Sequence, residues 1–257
     1  MGEHQKALSS HEKAFEIYQK CLPSNHPSLA TSFDNIGSVY ENMGEYSKAL
    51  SSLEKALEIR EKSLPSNHPS LATSYNNISM VHENIGEYSK ALSSLEKALE
   101  IYEKTLPSNH SHLAESYNNI GTVYYQMGEY SKALSYYEKA LGICQKSLPP
   151  NHPLVATSFS NVGSVYDNMG EDSRALSSHE KALEIREKSL PSNHPDLTTS
   201  YNNIGLVYRN MKDYLKALSY LERALDIFQH TLPPTHPNIK SVKKNIETVK
   251  EDMTMNV

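Results

Sequence analysis

The sequence predicts an all-α solenoid of about twelve helices, arranged as antiparallel pairs stacked along one axis. Three observations carry that expectation. Landmarks recur every 42 residues: Gly44, Gly86, Gly128 and Gly170, with Gly2 one step earlier, and His26, His68, His110, His152, His194 and His236. Within each period, apolar residues fall twice at helical spacing, so two helices each have one stripe to bury. Breakers separate the stripes at fixed places, so the helices are short and regularly punctuated.

The unit from His26 to Asn67 shows the pattern in full. His26-Pro27 opens the first helix, because proline at the first helical position gives up an N–H that has no intrahelical partner anyway. Phe33, Ile36, Gly37 and Tyr40 then form its apolar face. Gly44 ends it with the left-handed or tight-turn backbone that glycine adopts freely. The second helix carries Ala49, Leu50, Leu53, Ala56, Leu57 and Ile59 on its apolar side, and Pro65-Ser66-Asn67 stops it. Its wet side holds Glu58 four residues before Lys62, as do Glu100–Lys104 and Glu184–Lys188, pairs worth a few tenths of a kcal/mol each. Gly37 recurs as Gly121, Gly163 and Gly205, with Ser79 in the remaining slot. Glycine inside a helix costs roughly 0.5–1 kcal/mol against alanine, so its recurrence implies close approach of a neighbouring helix.

These landmarks divide the chain into a lone second helix (residues 1–24), five repeats (25–66, 67–108, 109–150, 151–192 and 193–234) and a capping helix with its tail (235–257), a single solenoid over 1–252. Met1 to Leu8 aligns with Met43 to Leu50, so the first helix of that unit is missing and Ala7, Leu8 and Phe15 are expected to be partly uncovered. This suggests a fragment of a longer array, or an end that self-associates. In the last helix Lys243, Glu247 and Lys250 replace Tyr201, Gly205 and Tyr208, giving the polar outer face a terminal repeat needs.

Composition narrows the function classes. The net charge is −5, with 17 basic against 24 acidic residues up to Gly205, and no basic stripe of the kind nucleic acid requires. No apolar run reaches the roughly 20 residues that span a bilayer, and no signal peptide opens the chain, so a cytoplasmic location is the expectation. Cys21 and Cys144 fall at different repeat positions and read as unpaired thiols. Histidines one repeat apart sit about 8–10 Å from each other, too far to share an ion, so no metal and no cofactor is expected. Even the adjacent pair His110 and His112 gives only a weak candidate. Phosphate loops, nucleophile elbows and paired carboxylates are missing, so the segment is not read as an enzyme.

The run Tyr75-Asn76-Asn77-Ile78-Ser79, followed by His82, Gly86, Tyr88, Ala91, Leu92 and Ala98, resembles the tetratricopeptide signature, with an aromatic in place of its tryptophan. The 42-residue period is longer than the family's usual 34, through the extension from Glu100 to Pro107 and the Asn-His-Pro restart, and it resembles the repeats of kinesin light chains. The resemblance implies a right-handed superhelix whose first helices line a concave groove. It also implies a protein-binding scaffold that holds extended peptides or partner helices. The heptads through which light chains join their motor do not occur in this stretch. Two alternatives are a self-associating scaffold, end to end through the first helix, and a regulatory array attached to an enzyme elsewhere.

On that resemblance, the second polar stripe of each first helix is the candidate binding face. Asn35, Asn77, Asn119, Asn161 and Asn203 recur at one position, extended by Asn245. An amide both donates and accepts, so this ladder can grip a peptide backbone, or it can serve local structural bonding. Specificity is expected where columns vary: Thr31, Thr73 and Glu115 with Thr157 and Thr199; Asp34, Asn76, Asn118 and Asn202 with Ser160; and Glu41, Glu83, Tyr125, Asp167 and Arg209. The last column is polar and acidic through four repeats and turns basic at Arg209, so the expected ligand has a basic segment toward the N-terminal repeats. Family members that capture acidic C-termini place lysine where this chain has threonine or glutamate, which disfavours that ligand.

Overall fold

The computed structural model describes residues 2–255. They form twelve helices: α1 (Gly2–Cys21), α2 (Pro27–Asn42), α3 (Tyr46–Ser63), α4 (Pro69–Asn84), α5 (Tyr88–Thr105), α6 (Ser111–Gln126), α7 (Tyr130–Ser147), α8 (Pro153–Asn168), α9 (Asp172–Ser189), α10 (Pro195–Asn210), α11 (Tyr214–Thr231) and α12 (Pro237–Met255). No strand occurs among the described residues. The chain is an α-solenoid of helix pairs, even-numbered helices being the first of each pair and odd-numbered helices the second. It forms two compact units, Met1–Met127 and Gly128–Val257. In unit 1 each of α2 to α6 packs on the helix before it, and in unit 2 each of α8 to α12 does the same. No helix is long and apolar enough to cross a membrane among the described residues.

Each repeat starts with a histidine that caps. His26 has extended backbone, and the Ser28 N–H donates to its Nδ1 at 3.2 Å. His68, His110, His152, His194 and His236 do the same for Ser70, His112, Leu154, Asp196 and Asn238, each at 3.2 Å. One orphan N–H per helix is thereby satisfied, normally the task of Ser, Asp or Asn. His110 caps without a following proline, so the histidine alone suffices. The repeated residue that first suggests a metal ligand is a helix cap.

The turn between paired helices takes φ near +75° at Gly44, Gly86, Gly128 and Gly170. In the fifth repeat Lys212 occupies this turn at φ 62°, the one non-glycine residue with positive φ among the described residues. An L-residue there carries roughly 1–2 kcal/mol of strain.

The core repeats one contact. A Cβ on Gly37 would lie 2.8 Å from Leu53 Cγ, and one on Gly205 would lie 2.8 Å from Leu221 Cγ. Each leucine is fully buried over its glycine, at about 1.5–3 kcal/mol of hydrophobic stabilisation apiece. Ala49, Ala56, Ala217 and Ala224 flank these leucines with no exposure, so the helices meet backbone to backbone. At the ends, α1 has no buried residue, and Phe15 packs its ring 4.7 Å from Phe33. Helix α12 buries Ile239, Val242, Ile246 and Val249 and leaves Lys243, Glu247 and Lys250 exposed.

The fourth repeat departs from this packing with a polar ring. His179 takes the leucine's place over Gly163, its ring 2.8 Å from where a Cβ would be. The side chain is 2% exposed and its Nδ1 has no hydrogen-bond partner. Burial, and then the positive charge of Arg186, push its pKa from 6.5 down to about 4. The unfolded chain therefore binds the proton more tightly than the folded one. The folded state keeps its full stability above pH 6.5 and loses it as pH falls toward 4, by about 3 kcal/mol.

Two outcomes follow for stability. His179→Leu raises stability at neutral pH by about 1–3 kcal/mol, because an orphan polar atom is removed and leucine fits this slot elsewhere. It also flattens the melting-temperature profile between pH 6.5 and 4, read by circular dichroism. Lys212→Gly relieves the positive φ and stabilises by about 1 kcal/mol in a urea titration. A variant of either kind that melts lower than the parent would contradict this packing.

Candidate functional site

In each unit the first helices lie side by side, tied by bonds between residues 43 apart. Asn84 donates to Glu41 at 2.8 Å and Gln126 to Glu83 at 2.8 Å in unit 1. Asn210 donates to Asp167 at 2.9 Å, and Arg209 donates to Asp252 at 2.6 Å, in unit 2. The varied column expected to read the ligand is thus also a brace between neighbouring helices. Burial raises the pKa of Glu41, Glu83 and Asp167, and the amide bonded to each partly offsets this. Arg209 does not present a free positive charge: it is ion-paired with Asp252, so the expected basic end of the column is neutralised. Tyr125 is half-buried.

The column expected at Asp34, Asn76, Asn118 and Asn202 sits lower. Asp34 is not a ligand-facing acid. Its Oδ2 accepts from the Arg60 guanidinium, and its Oδ1 is buried without a partner. Asn76 Oδ1 is likewise buried without a partner, and Asn202 accepts from Asn245 Nδ2 at 2.9 Å. Asn118 is half-buried. Asp34 is thus held by α3 and Asn202 by α12.

The open face is made by the other two columns. Thr31, Thr73 and Glu115 are exposed, and Thr31 and Thr73 turn their hydroxyls back to the carbonyls of Pro27 and Pro69. Glu115 lies 3.4 Å from His112. Asn35 is exposed, and Asn77, Asn119, Asn161 and Asn203 are half-buried. Among the described residues, Asn35, Asn77, Asn119 and Asn203 make no side-chain hydrogen bond within the protein. Local bonding, the other reading of this ladder, does not occur at these four positions.

Sequence reasoning missed two residues, Arg60 and Arg186. They occupy a second-helix slot filled elsewhere by Tyr102, Cys144 and Phe228, and all five are buried. Arg60 Nη1 donates to Ser74 at 2.5 Å beside its pair with Asp34. Arg186 Nη1 donates to Ser160 at 3.1 Å and to Ser200 at 2.6 Å. A cation in an otherwise apolar column is the signal that would have found them.

Two larger cavities recur 126 residues apart. One, of about 810 Å³, is lined by Glu61, Leu71, Tyr75, Lys97 and Lys104, and the other, of about 660 Å³, by Glu187, Leu197, Tyr201, Arg223 and Asp226. Their polar groups satisfy one another. Tyr75 donates to Glu61 at 3.0 Å under Lys97, and Tyr201 donates to Glu187 at 2.7 Å beneath the Arg223 guanidinium, 4.3 Å from the ring centre. Burial and then Glu187 push the Tyr201 hydroxyl up to about 12. Both cavities are braces rather than open sites.

Comparisons with known proteins agree with this architecture. The tetratricopeptide repeat family profile matches residues 1–62, 36–104, 112–188 and 196–251. A comparison with curated proteins found no match. Among solved structures, the chain is similar to BtubC (BKLC) from P. vanneervenii, with a TM-score of 0.77 and 23% identity over 91% of this chain and 94% of that one. It is similar to the nearly identical repeats of a putative kinesin light chain from Podospora anserina, with a TM-score of 0.72 and 27% identity over 80% of this chain and 97% of that one. YrrB, described as having an unusual peptide-binding site, aligns with a TM-score of 0.52 and 23% identity over 93% of this chain and 100% of that one. With its profile matched along nearly the whole length and its helices paired and capped at a 42-residue step, the chain belongs to the tetratricopeptide repeat family.

Proposed function

We propose that this chain is a protein-interaction scaffold that holds extended peptide segments or partner helices against the open face of its first helices. One observation carries the reading: the amides of Asn35, Asn77, Asn119 and Asn203 stand one per repeat with both donor and acceptor unused. An extended backbone offers both carbonyls and N–H groups, so such amides bind it without reading its side chains. YrrB, with its peptide-binding site, lends the same reading to the shared fold. In unit 1 Glu41 and Glu83 place negative charge beside this ladder, which favours a ligand with a basic segment. We read the protein as cytoplasmic and non-catalytic, an adaptor resembling the cargo-binding repeats of kinesin light chains.

Self-association is the second reading. It is favoured by α1, which has no buried residue and exposes Ile17 by 62% and Tyr18 by 42%. Sedimentation over a concentration series separates the two, because a purely monomeric chain removes the second.

Peptides selected by display on the full chain should lose binding to Asn77→Ala/Asn119→Ala by about tenfold or more, from two lost hydrogen bonds of about 1 kcal/mol each. The variant's melting temperature should hold, since neither amide bonds within the protein. Equal enrichment on parent and variant removes the ladder from the site. Selected peptides with a basic segment should bind several-fold more weakly between low and moderate salt, since partly exposed charges are screened over about 8–10 Å. Affinity that ignores salt counts against the acidic rim.

A further inference from the structure

The gap between α10 and α12 is built unlike those that hold Arg60 and Arg186. There the second-helix slot carries a guanidinium that donates to a first-helix serine, Ser74 or Ser200. In the last gap the same two positions hold Phe228 and Val242, both apolar and buried. A hydroxyl appears at another place instead. Thr198 stands where the earlier repeats have Ala30, Ala72, Ala114 and Ala156. It is 0% exposed and its Oγ1 has no hydrogen-bond partner, a cost that alanine at this position does not carry.

Thr198, Phe228 and Val242 line a crevice of about 210 Å³. All three are buried and form its floor, while Asn202 is half-buried on its wall and Thr199, Asn238 and Ser241 are exposed at its mouth. Thr199 continues the column of Thr31 and Thr73 on the open face. The volume is several times the roughly 30 Å³ share of one water molecule, so a whole side chain fits. Asn202 Oδ1 already accepts from Asn245, but its Nδ2 makes no hydrogen bond among the described residues. None of these lining residues carries a charge.

We propose that this crevice is a carboxamide subsite, in which a glutamine side chain of a bound peptide inserts its amide between Thr198 and Asn202. The amide oxygen accepts from Asn202 Nδ2, and the amide nitrogen donates to Thr198 Oγ1. The two methylenes of the side chain lie against Phe228 and Val242. A glutamate or lysine brings a charge into a site with no counter-charge, which desolvation penalises. An aliphatic chain of the same length leaves the Thr198 hydroxyl as orphaned as before. The inference rests on the open-face reading and adds a selection to it: the amide ladder grips any backbone, while the crevice reads one neutral side chain.

The test uses the full chain and the methyl resonances of Thr198 and Val242. The probes are acetyl-Gly-Ser-Gln-Ser-Gly-amide and its Glu and Met counterparts at millimolar concentration. Both methyls are expected to shift with the Gln peptide, and the Glu and Met peptides to bind about tenfold more weakly, for want of two hydrogen bonds or through a buried charge. Thr198→Val keeps the shape and removes the hydroxyl. It should raise the melting temperature, weaken the Gln peptide about tenfold and leave the Met peptide unchanged. Thr198→Ala restores the residue of the other four repeats, so it folds, and it should lose the preference for Gln as well. No shift with the Gln peptide overturns the proposal, as does an equal response to Gln and Met. A Glu peptide that binds as well as Gln also overturns it, and so does a Thr198→Val chain that still prefers Gln to Met. Asn77→Ala/Asn119→Ala lies in unit 1, so the amide ladder and this subsite fail or hold in separate readouts.

Discussion

The close seating of a second-helix leucine on a first-helix glycine is the constraint on which the rest of the structure depends. At 2.8 Å from Leu53 Cγ there is no room for a Cβ on Gly37, and the same holds for Leu221 over Gly205. This contact draws the two backbones together with alanines at their flanks and fixes which side of each first helix is buried. The remaining sides follow from the geometry of a helix with 3.6 residues per turn. One faces the first helix of the next repeat, and the other stays open. The binding face is what remains after the glycine seat and its neighbour are satisfied. Burial of His179 over Gly163, and then Arg186, favour its neutral ring, which makes this repeat sensitive to acid.

Most of the fold was legible because its signals are local. The glycine turns, the histidine–proline starts and the two apolar stripes each involve residues within a few positions of one another, and the structure places helices where they fall. Even the capping role of His26 is local, since the bond runs two residues forward. What was not legible depends on residues 14, 26 or 43 positions away. Arg60 reaches Asp34 and Ser74, and Glu41 reaches Asn84. A column of equivalent residues does not reveal whether it points at solvent or at the next repeat, because a rotation of a few tens of degrees decides between them. Asn35 and Asp34 are adjacent in sequence, yet the first keeps an open amide and the second is spent on an internal ion pair.

The candidate site divides along the same line. The amides of Asn35, Asn77, Asn119 and Asn203 make no hydrogen bond within the protein among the described residues, Asn35 exposed and the other three half-buried. The Glu41 column has a double role. Each acid there is held by an amide from the next first helix, so a substitution changes both the face and the brace beneath it. Period alone ranks Arg209 as the one basic member of that column. Its pairing with Asp252 cancels the charge locally, and that partner lies 43 residues away in sequence, in a helix where the repeat pattern is already degenerate.

The gaps between first helices differ from repeat to repeat where the exposed amide ladder does not. An exposed amide binds any backbone. A residue at the base of an inter-helix gap meets only what can enter, and it meets it where water is scarce and charge acts strongly. The second-helix slot at 60, 102, 144, 186 and 228 holds Arg, Tyr, Cys, Arg and Phe, five side chains of different chemistry on one repeated backbone. At the two arginines the first-helix residue across the gap differs: Asp34 is ion-paired with Arg60, while Ser160 accepts only a neutral hydrogen bond from Arg186. Breaking a buried ion pair by removing one partner costs about 3–5 kcal/mol, so a serine in place of Asp34 beside Arg60 would be strongly destabilising. Near-identical repeats thus differ in the chemistry at the base of each gap, while a small residue, Gly or Ser, is kept at the seat of every first helix from α2 to α10.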